Sequence, residues 1–165
     1  MITRRQLAFA VGAAVFAGPR DLARAAKPLA AAFARIEKEA RGRLGVAVLD
    51  TQTGLQSGHR ENERFPMCST FKLLAAAAIL RHVDEGTERL DRRVSYSAKD
   101  LVTYSPVTEK HTADGMTLAE LCDAAVTLSD NTAGNLLLAA LGGPAGITAF
   151  ARSLGDAVTR LDRIE

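Results

Sequence analysis

Ser69 and Lys72 open the most apolar helical segment of this sequence, and that segment limits the folds that the chain can form. The eight residues after the lysine, residues 73–80, are all leucine, alanine or isoleucine. A helix that is apolar on every side is stable only when other elements surround it. We therefore predict a buried central helix that ends near Gly86, with Ser69 at its N-terminal end.

The spacing of Ser69 and Lys72 also indicates a chemical function. Residues three apart on a helix are neighbours, so the lysine amine can reach the serine hydroxyl. A serine hydroxyl needs such a base to become a nucleophile, and the unpaired N–H groups at a helix start favour negative charge that develops there. By itself, however, the pair is also explained by a serine N-cap followed by a solvated lysine.

The rest of the sequence predicts further helices and one antiparallel hairpin. Thr117 and Glu120 have the spacing of a capping box, and residues 91–112 are predicted to be a loop with short helical turns. Two strands alone make a marginal sheet, so we expect the sheet to be incomplete in this chain. The remaining predicted elements are a helix at 29–41, a buried strand at 44–50, a returning strand at 55–59, and helices at 118–128, 130–141 and 147–154.

The first 25 residues have the pattern of a cleavable export signal. Arg4 and Arg5 precede an apolar stretch at residues 7–17, and an Ala-Arg-Ala site follows at residues 23–25. A stretch of this length is too short to span a bilayer, which disfavours a membrane anchor. We expect a twin-arginine type signal, cleavage near Ala25, periplasmic localisation, and a domain that comprises residues 26–165.

Composition and motifs exclude several classes of function. The chain has 21 basic and 19 acidic residues, and its net charge of +2 becomes −1 without the first 25 residues, which hold four arginines and one aspartate. A nearly neutral domain has no electrostatic basis for binding nucleic acid or an anionic membrane. We expect a monomer with no nucleic acid and no membrane partner after signal cleavage. No metal or cofactor is expected either, because no H-E-x-x-H or G-x-S-x-G motif surrounds the three histidines, His59, His82 and His111.

The two cysteines, Cys68 and Cys122, leave two interpretations open. An exported protein favours a disulfide between them, but two separate buried thiols agree equally well with the sequence. Cys68 directly precedes Ser69, so we expect it to shape the site in either case.

A Ser-Asp-Asn triplet at residues 129–131 lies between two predicted helices. Ser129 offers a second hydroxyl for proton transfer and Asn131 an amide for a substrate carbonyl, although both residues and Asp130 are also good N-caps. The S-x-x-K motif, this triplet and the R-L-D-R-x-E stretch that ends at Glu165 follow one another as in the class A β-lactamases. The chain resembles that family over residues 29–165, including the segment R-F-P-M-C-S-T-F-K at residues 64–72.

The resemblance implies a fold and an activity. The fold is the serine β-lactamase/transpeptidase-like fold of the α/β (α+β) class, with an all-α subdomain and an antiparallel sheet. The activity is hydrolysis of the β-lactam ring of penicillins and cephalosporins through a serine acyl-enzyme, which gives antibiotic resistance. The implied partner is the small-molecule β-lactam.

The resemblance also implies a role for each motif residue. Ser69 would be the nucleophile and, through its N–H, one oxyanion donor. Its proton would go to Lys72 or, through a water, to Glu165, the residue that activates water for deacylation. Ser129 would pass a proton to the ring nitrogen. The implied substrate-binding residues are Asn131 and Tyr104, and Asp130 is implied to be a buried brace for its loop.

The sequence departs from the family in several places. Ile164 replaces a frequent tryptophan, Cys122 has Ala76 at its partner position, and the partner of Cys68 in carbapenem-hydrolysing members would lie after residue 165. The family continues after Glu165 with three strands, a K-T-G motif and a C-terminal helix. We therefore expect this chain to be a partial sequence that does not turn over substrate.

Other classes of protein remain as alternatives. A penicillin-binding D-Ala-D-Ala peptidase or a penicillin-sensing protein would be acylated without turnover, and an inactive remnant would not be acylated at all. Glu165 argues against the peptidase, because a water-activating carboxylate serves deacylation.

Overall fold

The structure, a computed structural model, describes residues 19–165, with side-chain surroundings from residue 28 onward. The described residues form two compact units, the part up to Pro66, here the N-terminal unit, and Met67–Glu165, the C-terminal unit. The boundary falls at Pro66, a residue type that disfavours a helical conformation of the residue before it. The export-signal residues 1–18, which include the arginine pair, lie outside the described part.

In its described residues, the N-terminal unit consists of one helix and a hairpin. Helix α1, Pro19–Ala40, is followed by β1, Val46–Leu49, and β2, Gln56–His59. The strands pair antiparallel, with Val46 opposite His59, and helix α1 packs on the hairpin. Helix α1 begins ten residues before the predicted start, because its alanine-rich sequence favours a helix on both sides of Pro28.

The predicted hairpin is confirmed, but the prediction of a buried first strand is wrong. Alternate residues of β1 are half-buried and exposed, and Leu49 is 61% exposed. Successive side chains of a strand point to opposite faces, and α1 covers only one of them. The buried apolar residues of this unit are Phe33 and Leu55.

The N-terminal unit should lose stability as the pH falls from about 4.5 to about 2. The pKa of Glu37 is lowered from its ordinary 4.5 to about 2, chiefly by the Arg60 guanidinium and further by hydrogen bonds from Leu44 N–H and His59. A carboxylate with a lowered pKa stabilises the fold above its ordinary pKa and ceases to do so as it is protonated. The protection factor of the Leu44 amide, measured by NMR, should therefore fall across this range. A Glu37→Gln variant should show a smaller fall, which the other carboxylates with lowered pKa, Asp50 and Glu63, still cause. An equal fall in both proteins would contradict the assignment.

The C-terminal unit is helical with one very short sheet. The predicted positions of its helices are confirmed to within a few residues, except that α5 begins at Pro144, a favoured first helical residue, rather than at Ile147. Strands β3 and β4 pair antiparallel, and sequence patterns did not predict them because each has two residues. The elements are α2, Phe71–Asp84; β3, Arg93–Val94; β4, Met116–Thr117; α3, Leu118–Thr127; α4, Asn131–Ala140; and α5, Pro144–Ser153.

Helix α2 is central to this unit, as predicted. It packs against α3, α4 and α5, and the side chains of Phe71, Ala75 and Ile79 are buried. The prediction that the helix is buried on every side is wrong, since Leu73 and Leu80 are 64% and 48% exposed. The three neighbouring helices enclose only part of the circumference of α2.

The connections of the C-terminal unit follow local sequence signals. The predicted capping box is present, because Thr117 Oγ1 accepts a hydrogen bond from Glu120 N–H and the Glu120 carboxylate accepts one from Thr117 N–H. Residues 91–112 form a loop with 3₁₀ turns at Ala98–Asp100 and Thr108–Lys110. Helices with two small antiparallel sheets agree with the predicted fold class.

Helix length and apolar composition decide whether a helix can cross a membrane. No single helix in the described part of the chain is long and apolar enough to cross a membrane. Helices α4 and α5 together reach that length, with a bend of 70° between them.

Candidate active site

Ser69 lies in a 3₁₀ turn, Cys68–Thr70, that directly precedes α2. The predicted serine and lysine therefore lie on two successive elements rather than on one helix. Ser69 is exposed, whereas the Lys72 side chain is 2% exposed. The Lys72 Nζ atom is 3.5 Å from Ser69 Oγ, so the serine can face a ligand while its neighbouring amine is shielded from water.

The Lys72 ammonium brings four of the predicted site residues together. Besides Ser69, it contacts the carbonyl oxygen of Ser129 at 2.8 Å and its hydroxyl at 3.1 Å. Asn131 Oδ1 is 2.5 Å from Nζ, and Glu165 Oε1 is 3.3 Å from it. The motif residues, which are up to 96 positions apart in the sequence, thus converge on one nitrogen atom.

The number of oxygen atoms around Lys72 has a chemical consequence. An ammonium group has three protons to donate, but five oxygen atoms lie within 3.5 Å of Nζ. The protons must therefore be shared among the two serine hydroxyls, the Ser129 carbonyl, the amide and the carboxylate. A buried charge is tolerated when it is paired and hydrogen-bonded, and Glu165 supplies that pairing. This network can transfer protons between Ser69, Ser129 and Glu165.

Backbone strain is concentrated around this cluster. Five residues other than glycine have positive φ angles in the described part of the chain, and three of them are Cys68 at 45°, Tyr104 at 62° and Ser129 at 55°. Such conformations cost about 1–3 kcal/mol each and persist where the surrounding structure enforces them. The strained backbone places Ser69 and Ser129 on either side of Lys72.

Asn131 and Tyr104, the predicted substrate-binding residues, are adjacent. Asn131 Nδ2 donates to the Thr103 carbonyl at 2.9 Å, and Asn131 N–H donates to the Tyr104 carbonyl at 3.0 Å. These bonds orient the Asn131 amide so that its oxygen faces Lys72. The Tyr104 side chain is 60% exposed and belongs to the rim of the site.

Asp130 is fully buried beneath the cluster. Its side chain caps α4 by accepting a hydrogen bond from Ala133 N–H at 2.8 Å. It also accepts hydrogen bonds from the N–H groups of Val107 and Thr108, at 3.0 and 2.9 Å, and from the Thr108 hydroxyl. One carboxylate thus joins the loop before residue 109 to the start of α4.

Residues 28–165 match the model of the beta-lactamase enzyme family. The chain belongs to this family. It is also similar to solved structures of class A proteins, which confirms the class A resemblance. One is an ancestral class A beta-lactamase, with 69% identity, a TM-score of 0.82, and coverage of 83% of this chain and 53% of that one.

Two other solved structures show the same similarity. The last common ancestor of the Gram-negative class A beta-lactamases has 68% identity and a TM-score of 0.81, with coverage of 83% of this chain and 52% of that one. A protein of Rhodopseudomonas palustris assigned to class A, PenP, has 69% identity and a TM-score of 0.82, with coverage of 84% and 53%. The chain spans about half the length of the solved structures that it matches.

Sequence analysis missed one residue of the site around Lys72. Asn135 Oδ1 accepts a hydrogen bond from Glu165 N–H at 3.0 Å and so anchors the residue that ends the chain. Asn135 is four positions after Asn131, and residues at this spacing share a helix face. A second amide on the Asn131 face of α4 was therefore the signal that could have identified it.

Both cysteines are free thiols, which agrees with the interpretation of two separate thiols. The expectation that both are buried is wrong, because Cys68 is exposed and Cys122 is half-buried. Burial raises the pKa of Cys122 to about 11, which keeps that thiol protonated and unreactive at neutral pH. No group of three histidine, cysteine or acidic side chains that could hold a metal ion occurs among the described residues.

Proposed function

We propose that this protein is an exported, monomeric enzyme that hydrolyses the β-lactam ring of penicillins and cephalosporins and so gives antibiotic resistance. The observation that carries the proposal is the contact of one buried ammonium, Lys72 Nζ, with Ser69, Ser129, Asn131 and Glu165. Similarity to class A proteins at 69% identity supports it. Because the chain spans about half the length of those structures, turnover is proposed for the whole protein.

The first step is acylation of Ser69. The serine oxygen attacks the lactam carbonyl. Its proton goes to Lys72 after the ammonium has passed a proton to the Glu165 carboxylate, 3.3 Å away, or it goes through a water directly to Glu165. The backbone N–H of Ser69 stabilises the negative charge on the carbonyl oxygen as one oxyanion donor. The C–N bond of the ring then breaks, and the ring nitrogen takes a proton from the Ser129 hydroxyl, which Lys72 can replenish across 3.1 Å.

The second step is hydrolysis of the acyl-enzyme. Glu165 removes a proton from a water molecule, whose oxygen attacks the ester carbonyl. The bond between that carbonyl and Ser69 Oγ breaks, and the serine recovers its proton. Glu165 can hold this water beside Ser69, because its carboxylate and the serine hydroxyl both contact Lys72 Nζ.

Replacing Glu165 by glutamine should prolong the acyl-enzyme at least about 100-fold, since general base catalysis typically contributes 10²–10⁴-fold. The lifetime of the benzylpenicillin adduct is measured by mass spectrometry after removal of free antibiotic. Asp162→Asn is a matched control, because Asp162 is on the same loop and its ion pair is with the exposed Arg160. The control should change the lifetime by less than about twofold.

The outcomes of this experiment separate the candidate functions. Equal adduct lifetimes in the native protein and Glu165→Gln would contradict the role given to Glu165. A permanent adduct in the whole protein, for which turnover is proposed, would instead indicate a penicillin-binding or penicillin-sensing protein. Failure to form any adduct would contradict the proposal as a whole.

A further inference from the structure

The segment that carries Glu165 depends on side chains of other elements for its position. Residues 155–165 contain no helix or strand, so no backbone ladder holds them. Glu165 itself is anchored by Asn135 through its N–H and by Lys72 through its carboxylate. The preceding ten residues must also be held, because displacement of the chain would carry the carboxylate away from Ser69.

The first anchor of this segment is at its start. Arg152, on α5, donates to the carbonyl oxygens of Asp156 and Thr159 at 2.6 and 2.8 Å. The Asp156 carboxylate accepts hydrogen bonds from the N–H groups of Val158 and Thr159. These bonds close a tight turn, but they end six residues before Glu165.

The second anchor is the Thr148 hydroxyl, also on α5. Its Oγ1 atom accepts a hydrogen bond from Leu161 N–H at 3.1 Å and is 3.4 Å from the carbonyl oxygens of both Leu161 and Pro144. One half-buried hydroxyl thus contacts both backbone groups of Leu161, whose side chain packs on the core of the C-terminal unit.

Between Leu161 and Glu165 the chain has weak support. Asp162 pairs with Arg160, and both side chains are 66% exposed. Ile164 is 56% exposed, so it contributes little packing. Thr148 is therefore the nearest half-buried hydrogen-bond anchor before the contacts of Glu165 itself.

We propose that Thr148 is a positioning residue for Glu165: its hydroxyl fixes the backbone at Leu161 so that the Glu165 carboxylate stays beside Lys72 and Ser69. The inference rests on the proposed function, because it gives Thr148 a share in the water-activating role of Glu165. A reacting group that moves by about 1 Å can lose about 100-fold in rate. Loss of the hydroxyl should therefore affect the step that needs Glu165.

The test uses the whole protein with Thr148→Val, which keeps the side-chain shape and removes the hydroxyl. We expect the benzylpenicillin adduct to decay at least about tenfold more slowly than in the native protein. Thr148→Ser, which restores a hydroxyl, should decay within about threefold of the native rate. Thr127→Val is the matched control, because the Thr127 hydroxyl also bonds the carbonyl four residues earlier but lies on α3. It should decay at the native rate.

A double variant tests whether Thr148 acts through Glu165. If it does, Thr148→Val should add less than about twofold to the lifetime of the adduct in Glu165→Gln, because the positioned group is already absent. A multiplicative effect of the two substitutions would overturn the proposal, as would a native decay rate in Thr148→Val.

A measurement without antibiotic decides the proposal even where adduct decay is too slow to follow. The exchange rate of the Glu165 amide with water, measured by NMR, should rise at least about fivefold in Thr148→Val and remain native in Thr148→Ser. The Ala133 amide, which bonds Asp130, should be unaffected in both. An unchanged Glu165 amide would overturn the inference. Absence of any adduct in the native protein would contradict the proposed function. The exchange rate of the Glu165 amide would still decide whether Thr148 positions Glu165.

Discussion

Replacing Lys72 by alanine is expected to slow the acylation of Ser69 by about 10²–10⁴-fold, the usual contribution of a positioned proton-transfer group. Lys72 is the residue that contacts both proposed proton donors, since its Nζ is 3.5 Å from Ser69 Oγ and 3.1 Å from Ser129 Oγ. Without it, the Ser129 hydroxyl loses the group that replenishes its proton, and the Ser69 proton keeps only the route through a water to Glu165. The rate of adduct formation with benzylpenicillin, measured by rapid quenching and mass spectrometry, gives the effect directly.

Two further variants separate proton transfer from charge. Lys72→Arg keeps the positive charge but cannot lose a proton at neutral pH, so it should be nearly as slow as the alanine variant. Lys99→Ala removes an exposed lysine and should acylate at the native rate. Native acylation in Lys72→Arg would show that Lys72 contributes charge alone and would contradict its role in proton transfer.

Replacing Asp130 by alanine is expected to lower the free energy of unfolding of the C-terminal unit by about 3–5 kcal/mol. Its carboxylate satisfies the N–H groups of Val107, Thr108 and Ala133. Each buried donor left without a partner costs about 1–3 kcal/mol, and loss of an N-cap typically costs about 1 kcal/mol. The effect is large because the Asp130 side chain is fully buried and one carboxylate serves all three N–H groups.

Tyrosine fluorescence during urea unfolding measures this change for the intended unit. The chain has two tyrosines and no tryptophan, and Tyr96 and Tyr104 both lie in the C-terminal unit. Asp130→Asn keeps one acceptor oxygen and should lose less stability than the alanine variant. Asp123→Ala, at an exposed position of α3, should change stability by less than about 1 kcal/mol. A similarly small change in Asp130→Ala would refute the bracing role.

The elements that could be predicted from the sequence are those specified by local signals. Thr117 and Glu120 form the predicted capping box, Asp130 caps α4, and Pro66 marks the boundary of the two units. These features depend on residues within four positions of one another. The motif residues could be predicted for a different reason. The resemblance to the class A family identifies them from sequence motifs alone, without knowledge of their geometry.

The features that could not be predicted depend on tertiary contacts. The 3₁₀ turn at Ser69 begins at Cys68, whose backbone is left-handed. This conformation is uncommon for residues other than glycine, so the sequence does not predict it. The anchors Asn135 and Thr148 bind backbone groups 30 and 13 residues away. Exposure of Leu73 and Leu80 depends on which helices surround α2, and sequence periodicity reports only that the segment is apolar.

The central claim is that Ser69 is a nucleophile that opens a β-lactam ring, and the most direct test is the mass of the protein after incubation with benzylpenicillin. Ring opening breaks a bond inside the antibiotic, so the account predicts a gain of one whole benzylpenicillin molecule, located on Ser69 by peptide mapping and absent from Ser69→Ala. An adduct on the neighbouring exposed thiol of Cys68, or no adduct under conditions where the C-terminal unit is folded, would contradict it.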